Sequence, residues 1–437
     1  NLTVKADVGL ATGAQTFGTV LVKAGTRMVI HGDQTGSGIP AVAVPCTITA
    51  SSFAVEAGAL VTADSEGFNP LSGPGAGSGT GYAASHGGRG SSNITNYEYG
   101  SASNPQTFGS GNTGVFGGGL LSIEVGSGAV QVDGTLSANG GKNSNNNGGG
   151  SGGSVNLKCG TLLGSGLIQA DGGGSALHGG GGGRIAVNGS VAAYSGHFSC
   201  AGGASAGSPG RPGTLEIPAG SDLDVQYGVG LSPAAHTLGQ VTVRNGASLC
   251  FHGTQTGSGA GAAPVTCSLD AFSLTVEAGG TLDANLEGFR PGSGPGEGSG
   301  LGSSHGGRGH AGPLSYGSAT DPLTLGSGGQ ADVTLGGGLV RVDVGSGLLR
   351  IDGIVTANAG STGFNYGGAA GGSINLRCGT LAGGGTLRAK GGNSNNHGGG
   401  GGRIALRYST STFAGTTDVA GGLDVPADPN VGEADFT

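Results

Sequence analysis

Apolar and polar residues alternate in short runs along most of this chain, and glycine interrupts the runs at short intervals. Thr19–His31 reads TVLVKAGTRMVIH and Phe53–Asp64 reads FAVEAGALVTAD, each as two alternating runs around a Gly turn. Leu121–Gly140, Val155–Gly173 and Arg184–Gly203 have the same form, and so do Val241–His252, Leu274–Asn285, Val340–Gly360, Ile374–Gly392 and Arg403–Gly422. A period of two with Val, Ile, Leu and Thr predominating predicts half-buried β-strands. No segment carries the 3.6-residue periodicity of a helix. The motif is strand, a G-S-G or C-G-T turn, strand, then Ala-(Asp/Asn)-Gly-Gly, with a short period of roughly 20 residues.

A second, longer period lies above the short one. His178–Ala186, HGGGGGRIA, returns letter for letter as His397–Ala405, and HGGRG at His86 returns at His305. Both offsets are 219 residues, which predicts two tandem copies of one unit. The expected division is 1–220 and 221–422, with an acidic tail at 423–437. Repeated layers that cannot bury their faces alone predict an all-β fold, a parallel β-helix (β-solenoid) with its long Gly-rich loops stacked on one side. The alternative is a pair of β-sandwich domains, which would need hairpin turns such as Asn-Gly that are scarce here.

Composition sharpens this picture. Of 437 residues 105 are glycine, none is tryptophan and 10% are charged. So much glycine would suggest disorder. The 35% hydrophobic fraction, placed in alternating runs, argues instead for a narrow core wrapped by glycine loops. Glycine allows close backbone approach, so these loops are expected to pack on one another as extended layers resembling polyproline II. A net charge of −8 leaves no basic face for nucleic acid. No apolar run is long enough to span a membrane. The chain begins at Asn1 without methionine, which fits a processed, exported protein.

Six cysteines fit export too if they are paired. Cys46 matches Cys267 across the repeat and Cys159 matches Cys378, whereas Cys200 aligns with Val419 and Cys250 with Val29. The expected disulfides are Cys46–Cys159 and Cys267–Cys378 within units, and Cys200–Cys250 at the junction. Free cysteines packed as small hydrophobes are the alternative.

HGGGGGRIA, followed by a short β segment ending in Gly-Gly and a closing strand Gly213-Thr-Leu-Glu-Ile217, resembles the glycine-rich repeat regions of large secreted surface proteins in bacteria and microbial eukaryotes. The resemblance covers most of each unit and implies an extracellular or cell-surface structural role, with no catalytic residues. The second copy departs from it, since no G-T-L strand follows Gly422.

The polar residues inside the glycine runs read as structural. His86, Arg89, His178 and Arg184, with His305, Arg308, His397 and Arg403, are expected to staple loops that lack side chains of their own, an arginine offering five donors to nearby carbonyls. An anion or sugar site is the competing use. Neither a zinc nor a calcium spacing is present, and no metal or other cofactor is expected. Parallel β-helices often cleave polysaccharides with clustered carboxylates, but Asp171 aligns with Lys390, while Asp133, Asp352, Glu66 and Glu287 lie beside turn glycines that they would cap. No enzymatic activity is expected. Asn1, Asn93 and Asn188 head N-glycosylation sequons.

The function expected from these features is a structural subunit of an extracellular filament or sheath, whose partner is another copy of itself and in addition cell-surface polysaccharide. An adhesin stalk or a glycan- or ice-binding module is the alternative. Head-to-tail joining is expected through uncapped ends, with Leu2 and Val4 at one end and Leu423, Val425, Val431 and Phe436 of the tail at the other.

Overall fold

The computed structural model describes residues 1–77, 82–91, 98–330, 334–424 and, for the backbone, 435–436. The expected contact residues Val425 and Val431 and the sequon residue Asn93 lie outside this set. The described chain is nearly all β and contains long parallel sheets. Its one helical element is a single 3-10 turn, Gly259–Gly261. Two compact units are present, one formed by Asn1–Ser221 with Gln226–Gly230, the other by Asp222–Val225 with Leu231–Thr437.

In the first unit the chain visits three parallel ladders in turn, then returns to the first one layer further on. The first ladder runs through Leu2–Val4, Thr19–Val22, Ser52–Val55 and Ala129–Val132 to the long strand Ser154–Gly164. The second runs Val8–Leu10, Arg27–Ile30, Leu60–Thr62, Thr135–Ser137, Leu167–Gln169 and His197–Ser199. The third runs Gly13–Thr16, Cys46–Thr49, Leu120–Glu124, Ser154–Gly164, Arg184–Tyr194 and Thr214–Glu216. Parallel strands need long crossovers, and here the rest of each layer provides them.

Register follows from the alternation read in the sequence. Met28 pairs with Val61, Val61 with Leu136, Leu136 with Ile168 and Ile168 with Phe198, a column of apolar side chains that are all buried. Val155, Ile185 and Leu215 form a second such column. A slip of one residue would turn each column outward, so burial itself fixes the pairing.

The second unit has the same kind of order. Ala235–Val243, Ser268–Val276, Leu339–Asp343, Ser373–Ala382 and Arg403–Ser411 pair in parallel, as do Ser248–Phe251, Thr281–Asp283, Ile354–Thr356, Thr386–Arg388 and Thr416–Asp418. Antiparallel pairing forms two hairpins, Asp33–Thr35 with Val42–Val44 and Thr254–Thr256 with Ala263–Val265, and a single bridge between Asn112 and Val115.

Two local expectations are corrected. The C-G-T sequences do not turn: Cys159-Gly-Thr161 lies inside the continuous strand Ser154–Gly164, and Cys378-Gly-Thr380 lies inside Ser373–Ala382. The glycine is instead used for close approach, since a Cβ on Gly160 would lie 2.3 Å from the Ser127 carbonyl oxygen of the layer below. Asp435–Phe436 pairs in parallel with Arg403–Ile404, where Thr214–Glu216 pairs with Arg184–Ala186 in the first unit. The chain thus extends this ladder with its own tail.

Candidate functional site

The glycine-rich segments form a hydrogen-bonded layer of their own. Gly118 N–H donates to Ser151 O at 2.9 Å, Gly152 N–H to Gly181 O at 2.9 Å, and Gly182 N–H to Arg211 O at 2.9 Å. Gly88 N–H reaches Gly182 O at 2.8 Å, and links such as Gly173 to Gly150 and Gly203 to Gly180 run across the layer. Backbone groups buried this way must be paired, and here they pair with one another. At glycines such as Gly152, Gly181 and Gly182 the segments approach so closely that a Cβ would meet a backbone oxygen at 2.2, 2.0 and 1.9 Å.

Among the glycine-rich segments a His–Tyr–Arg constellation is built once in each unit. His86 is fully buried, with Nδ1 2.9 Å from Gly152 O and Nε2 2.9 Å from Thr107 Oγ1. The carbonyl can only accept, so Nδ1 carries the proton and Nε2 accepts from the threonine hydroxyl. The ring packs on Tyr99 with centroids 4.7 Å apart. Arg184 donates from Nε to Tyr99 O at 2.9 Å, from Nη1 to Thr214 Oγ1 at 2.9 Å and from Nη2 to His86 O at 3.5 Å. In the second unit His305 meets Gly371 O at 2.7 Å and Thr324 Oγ1 at 2.9 Å, and Arg403 donates to Tyr316 O. Burial, helped by the neighbouring guanidinium, pulls the His86 imidazole down to about 3, and burial pulls His305 down to about 4. Burial also lowers the Arg184 guanidinium, with the Glu98 carboxylate working the other way.

The remaining expected staples are placed differently. Arg89 is buried with Nε 2.9 Å from Glu98 Oε1. Arg308 is exposed and donates to Gly312 O, four residues on, within its own turn. His178 Nδ1 lies 3.3 Å from Ser91 Oγ, while His397 packs edge-on against His310. His310 in turn meets the buried carboxylate of Asp424, which also accepts from Gly398 N–H.

The six cysteines are free thiols, all buried, so the expected disulfides are corrected. Register explains it. Thr47 pairs with Ser122, Ser122 with Asn156, and Cys159 lies three residues beyond Asn156, so Cys46 and Cys159 are offset by four positions along their strands and two layers across them. At ~3.3 Å per residue and ~4.8 Å per layer this far exceeds the ~7 Å Cα limit for a disulfide. Cys267 and Cys378 share that offset, since Leu269 pairs with Val342 and Val342 with Leu376. Cys200 and Cys250 are each engaged inside their own unit, Cys200 Sγ with Thr214 O at 3.4 Å and Cys250 Sγ 4.0 Å from Glu287 Oε1. Burial drives the Cys46 and Cys378 thiols up to about 11.

Among the other expected residues, Leu2 is half-buried, Val4 buried and Leu423 exposed. Asn1 Oδ1 accepts from Thr19 N–H at 3.0 Å, and Asn188 is exposed on its strand. Asp133 and Asp352 accept from the turn amides of Ser165 and Gly384.

Three features escaped the reading of the sequence. The Ala-(Asp/Asn)-Gly corners form a ladder: Asp64 Oδ1 accepts from Asn139 N–H, Asn139 Oδ1 from Asp171 N–H, and Asp171 Oδ1 from Ala201 N–H, at 2.6, 2.7 and 2.7 Å. The second is Tyr99, whose hydroxyl donates to Phe108 O at 2.6 Å and lies 2.8 Å from Ser110 Oγ. The third is a cluster of Cys250, His252 and Glu287. The alternation that places Cys250 and His252 on one strand face was visible; the arrival of Glu287 depends on register.

Tyr99→Phe is expected to cost about 1–3 kcal/mol, because it strands the buried Phe108 carbonyl. Urea denaturation with an unchanged m value checks it. Tyr316→Phe, whose hydroxyl reaches Leu325 O in the same way, should add independently.

No family model, curated protein or solved structure matches this chain.

Proposed function

We propose that the protein is a structural subunit of an extracellular filament or sheath, built as two tandem copies of a parallel β-solenoid. The observation that carries this reading is the glycine layer. Its segments are long enough to build a binding or catalytic surface, yet their backbone groups are spent on one another and the histidines and arginines of their two polar constellations are buried. A chain that uses its loops as a second packed layer gains rigidity rather than a site. The repeated visit to three ladders supports a solenoid, and the identical HGGGGGRIA strings support tandem copies. Location outside the cell rests on the resemblance to secreted surface proteins, since the free thiols withdraw the argument from disulfides.

Joining proceeds by strand addition. The proposed joint is the layer of Leu2–Val4, Val8–Leu10 and Gly13–Thr16, strands that each pair on one side only among the described residues. Such edges take up strands from another copy, and a contact that does not close on itself propagates. Negative-stain imaging of the purified protein is the test. Long uniform fibres are expected; monodisperse short rods at high concentration would sink the proposal and favour an adhesin stalk or glycan-binding module.

A further inference from the structure

Cys250 and His252 lie two residues apart at the end of the strand Ser248–Phe251, so their side chains share a face. Glu287 follows the neighbouring strand Thr281–Asp283, which pairs with the first in the register Ser248 to Thr281 and Cys250 to Asp283. All three side chains are buried, with Glu287 at 0% exposure. Ala262 of the adjoining hairpin is buried in one cluster with Phe289, two residues beyond Glu287, and with Leu325 and Leu339. The ligand atoms of the triad lie within 4.8 Å of one another, with Sγ 4.0 Å from Oε1 and Nδ1 3.4 Å from Oε2.

We propose that Cys250, His252 and Glu287 form a zinc(II) site. A tetrahedral zinc ion with sulfur at ~2.3 Å, nitrogen at ~2.0 Å and oxygen at ~2.1 Å separates its ligands by ~3.4–3.6 Å. The separations in the triad, 3.4 Å, 4.0 Å and at most 4.8 Å, match that spacing or are somewhat wider, so a modest inward movement of the side chains would complete the geometry. Charge points the same way. A thiolate and a carboxylate buried together are costly, and a divalent cation makes the set neutral. Thiolate, imidazole and carboxylate together suit zinc better than calcium or magnesium, which take oxygen ligands. Three protein ligands leave a fourth position for water. On binding, the S–H bond of Cys250 breaks, its proton leaves to buffer and a Zn–S bond forms, with no change of oxidation state.

The first unit supplies an internal contrast. Where the second has Cys250, His252 and Glu287, the first has Val29, His31 and Glu66. There the His31 and Glu66 side chains lie 3.2 Å apart and are 49% and 25% exposed, with no thiol beside them. The site therefore belongs to one unit only, and valine is a natural occupant of the cysteine position.

The test uses the full chain, stripped with a strong chelator under reducing conditions and titrated with zinc(II) against a competing indicator. One zinc per chain is expected, and cobalt(II) in its place should give a near-ultraviolet thiolate charge-transfer band. Loss of an outer partner of a metal ligand costs 10–100-fold, so Cys250→Val, which removes a ligand itself, should weaken zinc by more than about 100-fold and abolish the cobalt band. Glu287→Gln, which keeps the side-chain shape, should weaken zinc while retaining the band, and it serves if the valine variant does not fold. Failure of the parent chain to hold zinc above the level of a Cys250→Val chain of unchanged circular dichroism, or a Glu287→Gln chain that binds like the parent, overturns the proposal.

Discussion

Gly181→Ala is expected to unfold the first unit at markedly lower temperature, by about 8–16 °C. A Cβ at this position would sit 2.0 Å from Gly88 O, 2.6 Å from Gly88 C and 2.9 Å from Arg89 C, all backbone atoms that cannot swing away. Gly181 also donates to Ala84 O at 2.9 Å and accepts from Gly152 N–H at 2.9 Å, so moving it breaks hydrogen bonds on both sides. Overpacking commonly costs 1–3 kcal/mol, and the added loss of buried backbone bonds brings the expected total to about 4 kcal/mol. At ~2–4 °C per kcal/mol for a unit of ~150–250 residues, this gives the stated shift. Gly384→Ala is the control: nothing lies within 4 Å of its Cβ, so it should be neutral or stabilise by up to about 1 kcal/mol. Calorimetry on the two variants decides the matter, and equal melting of both would mean that the glycine layer is not close-packed.

Acid should destabilise the protein steeply, beginning well above the range where exposed carboxylates titrate. His86 and His305 are held neutral in the fold, at about 3 and about 4, against an ordinary value of 6.5. The unfolded chain therefore binds more protons than the folded one throughout that interval. Their contribution is fully present above pH ~6.5 and is lost as pH falls, at ~1.4 kcal/mol per pH unit for each histidine, until the folded values are reached. Protonation would turn Nε2 of His86 from acceptor to donor in a buried site beside the Arg184 guanidinium, so the fold resists the charge. The Asp171 carboxyl, pushed up by burial, acts in the opposite direction, so the comparison with a variant is the cleaner readout. Urea midpoints at pH 7, 6 and 5 should fall, and His86→Gln should remove about half of the slope. An unchanged slope in that variant would mean that the imidazole is not the proton acceptor.

Much of the strand order could be read from alternation alone. Leu121, Ile123, Val130 and Val132 alternate with polar residues and are buried as that pattern requires. The turns were less legible. A glycine marks a turn at Gly126, where φ is +57°, but close contact at Gly160 inside a continuous strand, and the local sequence looks alike in both cases. Which use applies depends on what the neighbouring layer brings. The histidines and arginines stood out in the glycine runs because nothing else there has a side chain. Their partners did not: Tyr99, Thr107 and Ser110 sit in an ordinary polar stretch and become important only when register carries His86 to Gly152. Cysteine pairing failed for the same reason, since matched positions across a repeat say nothing about which rows of a sheet face each other.

Polyglycine has no information with which to choose between pairings displaced by one residue. In Gly179–Gly183 every slipped alignment offers the same backbone bonds, and the phase is set only where the run ends, at His178 and Arg184. Arg184 opens the strand Arg184–Tyr194, whose Ile185 and Val187 are buried. Adding or removing a single glycine would then shift the strand by one place and exchange those two side chains with Arg184 and Ala186, which are buried on the opposite face, unless the run bulged to absorb the change. Ordinary surface loops tolerate length changes. These low-complexity runs behave like the teeth of a gear, in which composition is free to look monotonous because the count is what carries the specification.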